Sequence, residues 1–217
     1  MKVRHLLLAG VLLGLGACGG TQTVTETMTI HGVDASKTLE VLQGSEHVIV
    51  RRLAAADIRN VTAKAVPLTA TTATLSITVP DNTAADKTRQ ILAEPFTFDL
   101  RIEKPATGSG ESDWTATAVT GDTLDWVQVI GEKQTGHIGI ELQFNSVGQA
   151  ALASVFKDNV GKNVGIFVRD LLVSKLKINN SAVADRIVIS GIPSATVAGI
   201  FADDVNVGLH VLFTPVR

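Results

Sequence analysis

The sequence predicts an α+β fold, and three observations carry that expectation. Ala73, Leu75, Ile77 and Val79 alternate with Thr72, Thr74, Ser76 and Thr78, the period of a strand with one buried face. Leu39, Leu42, Ile49, Leu53 and Ala56 recur at helical spacing behind Ser36, whose hydroxyl suits a helix N-cap. The two periods then trade places down the chain, so that strands and helices interleave. With 45% hydrophobic residues in a chain of 217, there is apolar surface enough for a real core.

The first residues precede any fold. Lys2 and Arg4 give a positive start, residues 6–15 form an apolar run, and Leu15-Gly16-Ala17-Cys18 ends it. Charge, apolar stretch and small residues in that order make a secretory signal. The run is shorter than the roughly 20 apolar residues that a membrane span needs. The only cysteine of the chain stands directly after Leu-Gly-Ala, which resembles the lipobox of bacterial lipoproteins. That resemblance implies a signal peptide over residues 1–17, cleavage before Cys18, a diacylglyceryl thioether on Cys18 and acylation of the new amino terminus. Two or more acyl chains hold a protein durably, at about 0.8 kcal/mol per buried CH2. The mature protein is therefore expected to be tethered to the membrane and not to span it. Gly19, where an aspartate would signal inner-membrane retention, implies an outer-membrane address facing the periplasm.

Residues 18–27 read as a polar tether and residues 28–33 as the first strand. Gly44 weakens the middle of the helix behind Ser36, which leaves one helix or two pieces open. A strand follows at residues 61–66, then the alternating strand over residues 72–79, which Pro80-Asp81 ends. A helix from about Thr83 buries Ile91 and Leu92. Phe96, Phe98, Leu100 and Ile102 then alternate with Thr97, Asp99, Arg101 and Glu103. Strand, helix, strand, strand, helix, strand is the ferredoxin-like order. Residues 104–113, rich in Gly, Ser and Pro, read as a hinge into a second unit. There a strand at residues 126–130 is followed by Ile138, Ile140, Leu142 and Phe144 in alternation. Ser146 and Gln149 form a capping-box pair that opens a helix burying Leu152, Val155 and Phe156. Strands come next near residues 164–168, 171–178 and 186–189. A helix capped by Ser194, with Val197, Ile200 and Phe201 inward, precedes a last strand containing Leu209, Val211 and Phe213.

Little in the sequence carries chemistry. Nineteen Lys and Arg against 21 Asp and Glu, with no basic stripe, no tyrosine and 4% aromatics, argue against nucleic acid and electrostatic membrane docking. His5 departs with the signal, and His31, His47, His137 and His210 are scattered with no cysteine to join them, so no zinc site is expected. Asp203-Asp204, adjacent on a helix, point apart and read as a solvated face. Asp122 and Asp125 could approach each other on a turn as a carboxylate pair, but capping of the next element is the simpler account. Asn145-Ser146 and Ser190-Gly191 lack the Gly-x-Ser-x-Gly spacing of a nucleophile elbow, and Gly161-Lys162 lacks the upstream glycine of a P-loop. The expectation is a protein with no catalytic residues, cofactor, metal or small-molecule substrate. Trp114 and Trp126 read as fillers of a small core, or, if exposed, as captors of apolar client segments.

The second unit carries a further pattern. Thr120-Gly121-Asp122 with Leu124, Thr135-Gly136, Phe144-Asn145-Ser146 with Gly148, and Asn159-Val160-Gly161-Lys162 follow in order; residues 166–170, Val173-Ser174, Ile178 and Ile189-Ser190-Gly191 complete it. In order and spacing these resemble the first periplasmic domain of SecD, a subunit of the bacterial preprotein export machinery. Arg51-Arg52-Leu53 and Ile91-Leu92 running into Phe96-Thr97-Phe98 extend the likeness to the first half. The resemblance implies a ferredoxin-like base, residues 28–106 and 192–217, with a smaller α+β head inserted at residues 107–191. Gly121, Gly136 and Gly161 are then expected between elements, where positive φ is often required. Leu171 replaces a usual Gly, Lys175-Leu176 a usual Ala-Pro, and Pro193-Ser194-Ala195 a usual Thr-Pro-Glu. SecD couples proton flow to export through charged residues in membrane spans, and no later segment here resembles a span. What the resemblance leaves is contact with an unfolded chain. The partners it implies are the membrane, through the lipid anchor, and unfolded or exported polypeptides or the Sec machinery. The other reading is a structural or adaptor lipoprotein that binds a folded envelope partner.

Overall fold

The computed structural model describes residues 20–104, 113–131, 137–180 and 185–216. Residues 1–17, Cys18, Gly19, residues 105–112 of the expected hinge and Thr135-Gly136 lie outside the described residues. In chain order the elements are β1 (Gln22–Ile30), α1 (Ala35–Ala55), β2 (Thr62–Pro67), β3 (Thr72–Val79), α2 (Asn82–Ala93), β4 (Phe98–Glu103) and β5 (Trp114–Thr120). A 3-10 turn (Gly121–Thr123) leads to β6 (Leu124–Gly131), β7 (Ile138–Phe144), α3 (Ser146–Asp158), β8 (Asn163–Val168), β9 (Leu171–Lys177), β10 (Arg186–Ile192), α4 (Ala195–His210) and β11 (Val211–Pro215).

One sheet has the order β11-β1-β3-β2, antiparallel throughout. That is the ferredoxin-like order with β11 in the place of the fourth strand. Val24, Met28, Ile30, Leu75, Ile77 and Val79 of this sheet pack against Val41, Leu42, Val48, Ile49 and Leu53 of α1. β4, expected to supply the fourth strand, instead pairs with β5 and β8. Its alternation fixed it as a strand but said nothing of its neighbour; Phe98, Leu100 and Ile102 fill a second core. That core is covered by two further sheets, β5-β4-β8-β9 and β10-β7-β6, with α3 and α4 as far as Val205.

The expected tether is shorter than the sequence suggested, because β1 begins at Gln22. Glu26 occupies an inward position on β1 and is buried, and its charge hid the alternation of Val24, Met28 and Ile30. Burial raises its carboxyl above the usual range, against the opposing charge of Arg89. α1 runs unbroken through Gly44, starts after Asp34 and not Ser36, and leaves Leu39 exposed and Ala56 beyond its end. Strand β5 was not expected, since Val119 is its only buried residue and no alternation shows. α3 is capped by Asn145, not Ser146: Asn145 Oδ1 accepts from the Gly148 amide at 2.9 Å, while Gln149 turns back to the Phe144 carbonyl. Ser194 caps α4 as expected, its hydroxyl accepting from the Val197 amide at 3.2 Å. The inward face of α4, however, is Ala198, Ala202, Val205 and Asn206; Val197 and Ile200 are exposed, and Leu209 lies on the helix and not on a strand. Gly161 takes φ of +86°, as expected, whereas Gly121 lies in the 3-10 turn without it.

α4 serves both cores. Ala198, Ala202 and Val205 belong to the second, Val207 to the first, and Trp126 reaches from β6 into the first. No described helix is long and apolar enough to cross a membrane.

Candidate functional site

β9 is the end strand of its sheet, and among the described residues it bonds only to β8. A two-residue turn joins them, with Arg169 and Asp170 both at positive φ, the conformation that matches hairpin twist. Natural edge strands are usually blunted by charge, proline or a bulge. Here the first three residues of the edge are Leu171, Leu172 and Val173, exposed at 69%, 45% and 44%. The register with β8 shifts at Val173, which marks a bulge there, and Lys175 and Lys177 stand only at the far end.

Leu171 and Val173 share one face and border a groove of about 420 Å3 with Val48 of α1 and Val197, Ile200 and Phe201 of α4. On the opposite face Leu172 meets Trp114 and Phe167 over Gly165, where a Cβ would come within 2.8 Å of all three. Trp114 and Phe167 meet edge to face at 5.2 Å.

The rim of the groove is ionic. Arg52 donates through Nε and Nη2 to Asp204 Oδ1 at 3.0 and 2.8 Å, and Arg51 Nη2 reaches Asp203 Oδ2 at 3.4 Å. Arg169 stands 3.7 Å from Asp204 Oδ1, with its guanidinium over the Phe96 ring, and its buried Nη2 has no hydrogen-bond partner among the described residues. Asp203 and Asp204 are thus not the solvated face that the sequence suggested. They point apart, as adjacent helical residues must, but both reach α1, and each side chain is only 30% exposed.

A second cavity, about 380 Å3, lies where the two cores meet and is lined by His31, Phe96, Asp122, Asp125, Asn145 and His210. His210 ends α4, buried, with Nδ1 3.1 Å from the His31 carbonyl and Nε2 3.0 Å from the Asp125 carbonyl. Its ring stacks on Trp126 at 5.6 Å. Burial pulls its pKa below the usual histidine range, against the pull of the two carbonyls. A neutral imidazole donates from one nitrogen, so it serves only one of them. The fold brings His31 and His210 to 6.4 Å between ring centres, yet no group of three His, Cys, Asp or Glu among the described residues could hold a metal. Asp122 and Asp125 line this cavity and do not cap; Thr120 and Thr123 close the turn between them. Trp126 is buried and Trp114 half-buried.

Residues 110–207 match a family described as SecDF, P1 head subdomain. That stretch, a little under half of the chain, is similar to a SecDF P1 head. The match begins ahead of β5 and runs through β10 into most of α4, so the resemblance seen in Thr120-Gly121-Asp122 and its successors is borne out, and with it the α+β class. SecDF from Thermus thermophilus, a translocon-associated membrane protein, shares 16% identity at a TM-score of 0.59, over 91% of this chain and 30% of its own. A SecDF in a super-membrane-facing form gives 16% identity and 0.49 over 91% and 30%. Another SecDF structure, of a membrane component that enhances protein export, gives 15% and 0.49 over 89% of this chain and 98% of its own. At such identities the likeness is one of fold, and this chain spans 30% of the Thermus protein. Comparison with curated proteins gives no match. The groove residues Arg51, Arg52, Arg169, Leu171 and Val173 did not stand out as a site in the sequence. The signal for them is the unbroken run Leu171-Leu172-Val173, which no half-buried strand needs.

Proposed function

We propose that this protein is a non-catalytic module, tethered to the membrane through lipid on Cys18, that binds extended polypeptide at the β9 edge in connection with protein export across the envelope. Its station is the cell envelope, at the outer membrane facing the periplasm. The observation that carries the reading is a strand edge with no partner among the described residues and three exposed apolar residues, beside an apolar groove. Backbone pairing along β9 supplies affinity that does not depend on sequence, and the groove takes alternate side chains of the added strand. The SecDF P1 head match, and the translocon association of the Thermus relative, support the export setting.

The test is photo-crosslinking in cells from a benzoylphenylalanine placed at Leu172, with Val66 on β2, a strand edge in the other sheet, as control. Many transiting precursors caught from Leu172 and few from Val66 are expected. A single stable neighbour at Leu172 would favour the adaptor reading, and equal capture from both positions would refute the assignment to β9. In the same cells Cys18→Ser should move the protein out of the membrane fraction.

A further inference from the structure

We infer that the polypeptide taken up at β9 is selected for an acidic side chain at the hairpin end of its apolar segment, read by the arginine rim of the groove. This rests on the polypeptide-binding reading above and adds a specificity to it. The groove lining holds Arg51, Arg52 and Arg169 against the single carboxylate of Asp204. One oxygen of Asp204 already accepts two hydrogen bonds from Arg52, which leaves Arg169 at 3.7 Å with a buried nitrogen unserved. Asp203, outside the lining, holds Arg51 by one contact of 3.4 Å, at the long end of the hydrogen-bond range. Unspent guanidinium donors beside an apolar floor fit a carboxylate: the planar fork matches its two oxygens, and the dry surroundings strengthen the pair.

Strand geometry places that carboxylate. Arg169 sits in the turn, with Leu171 and Val173 two and four residues further on. Same-face side chains on an added strand keep the period of two. The register with β8 shifts at Val173 and Arg169 lies in the turn, so strand geometry fixes the end at which the carboxylate falls and not an exact spacing. An antiparallel segment carries its acid toward the C-terminus, after the apolar side chains level with Val173 and Leu171, and a parallel one carries it toward the N-terminus. A lysine at that position meets three arginines that only Asp203 and Asp204 offset.

The test uses the full-length protein in detergent micelles and short fluorescent peptides with alternating valines. Each peptide carries Asp, Asn or Lys at one end of the valine stretch, in both orders, and is followed by anisotropy. In the preferred order the Asp peptide is expected to bind about fivefold more tightly than the Asn peptide at about 0.05 M salt, with the Lys peptide weakest. The ratio should shrink with added salt. Arg169→Gln should bring the Asp/Asn ratio toward one, Arg169→Lys should keep only part of it, and Lys64→Gln on β2 should keep it all. Equal binding of the Asp and Asn peptides in both orders overturns the specificity while leaving polypeptide binding in place. Binding of none of the peptides overturns the polypeptide reading and this inference together. Competitive displacement of the peptides by a fatty acid would assign the groove to an acyl chain and overturn the inference as well.

Discussion

Replacing Asn206 with alanine tests the least obvious part of the architecture. β6 is the end strand of β10-β7-β6, and no further strand pairs with its outer edge among the described residues. Asn206 of α4 takes the place of that strand: its Oδ1 accepts from the Val127 amide at 2.9 Å, and its Nδ2 donates to the Val127 carbonyl at 2.7 Å. Asn206 is 4% exposed and Val127 0%, so both backbone groups lie away from bulk water. Each buried backbone group left unpaired costs about 1–3 kcal/mol, and Asn206→Ala strands two, for a total of about 2–6 kcal/mol. In a protein of this size each kcal/mol lowers Tm by about 2–4 °C, so a fall of at least ~4 °C is expected in a thermal melt. Asn206→Asp separates the two bonds. A carboxylate still accepts from the amide but offers nothing to the carbonyl and buries a charge, so at neutral pH it should cost at least as much as alanine, and it should recover partly in acid, where the protonated group donates. Amide exchange at Val127 should quicken in the alanine variant, where that amide has lost its acceptor. A melt of Asn206→Ala within about 1 °C of wild type, with Val127 exchange unchanged, would refute the reasoning.

Two further substitutions probe the joint between the cores. For His210 the folded-state pKa lies below the unfolded value of about 6.5, so the unfolded chain takes up the proton first. Its contribution to stability is full above about pH 6.5 and is lost as pH falls toward the folded pKa; His210→Gln should therefore flatten the fall of Tm between about pH 7.5 and 5, and an unchanged slope would count against it. At Gly208 a Cβ would run into the Phe96 ring, so Gly208→Ala should cost about 1–3 kcal/mol in urea unfolding. Phe96→Leu should recover part of that loss, and strictly additive costs in the double variant would exclude the contact.

What the sequence revealed followed the range of the forces involved. β3, β7 and the Ser194 cap were legible because a period of two, or a hydroxyl three residues ahead of an amide, is a local matter. β1 was half hidden because Glu26 breaks the apolar alternation while still facing inward. β4 was visible as a strand but not as a partner of β5 and β8, since its own alternation is the same in either sheet. The face of α4 was misread for a related reason: Val197 and Ile200 border a groove, while the small Ala198 and Ala202 carry the close packing. The ionic rim was not legible, because Arg51 and Arg52 meet Asp203 and Asp204 across 152 positions of chain. The motif string from Thr120 to Gly191 did identify the head, because turn and cap residues at fixed intervals hold a topology even at 16% identity.

The position of α4 has a mechanical consequence. One helix supplies Ala198, Ala202 and Val205 to the second core, Val207 to the first, Asn206 to the edge of β6, and Asp203 and Asp204 to the arginines of α1. The groove beside β9 draws one wall from α1, which belongs to the first core, and another from the β8–β9 hairpin, which belongs to the second. Its width is therefore set by how the two cores sit against each other across α4. Anything that fills it and touches both walls stabilises the arrangement that brings them to contact distance. By linkage, whatever holds the cores in that arrangement must tighten the occupant by the same free energy. The His210 contacts with the His31 and Asp125 carbonyls lie at this same joint, one acceptor on each side.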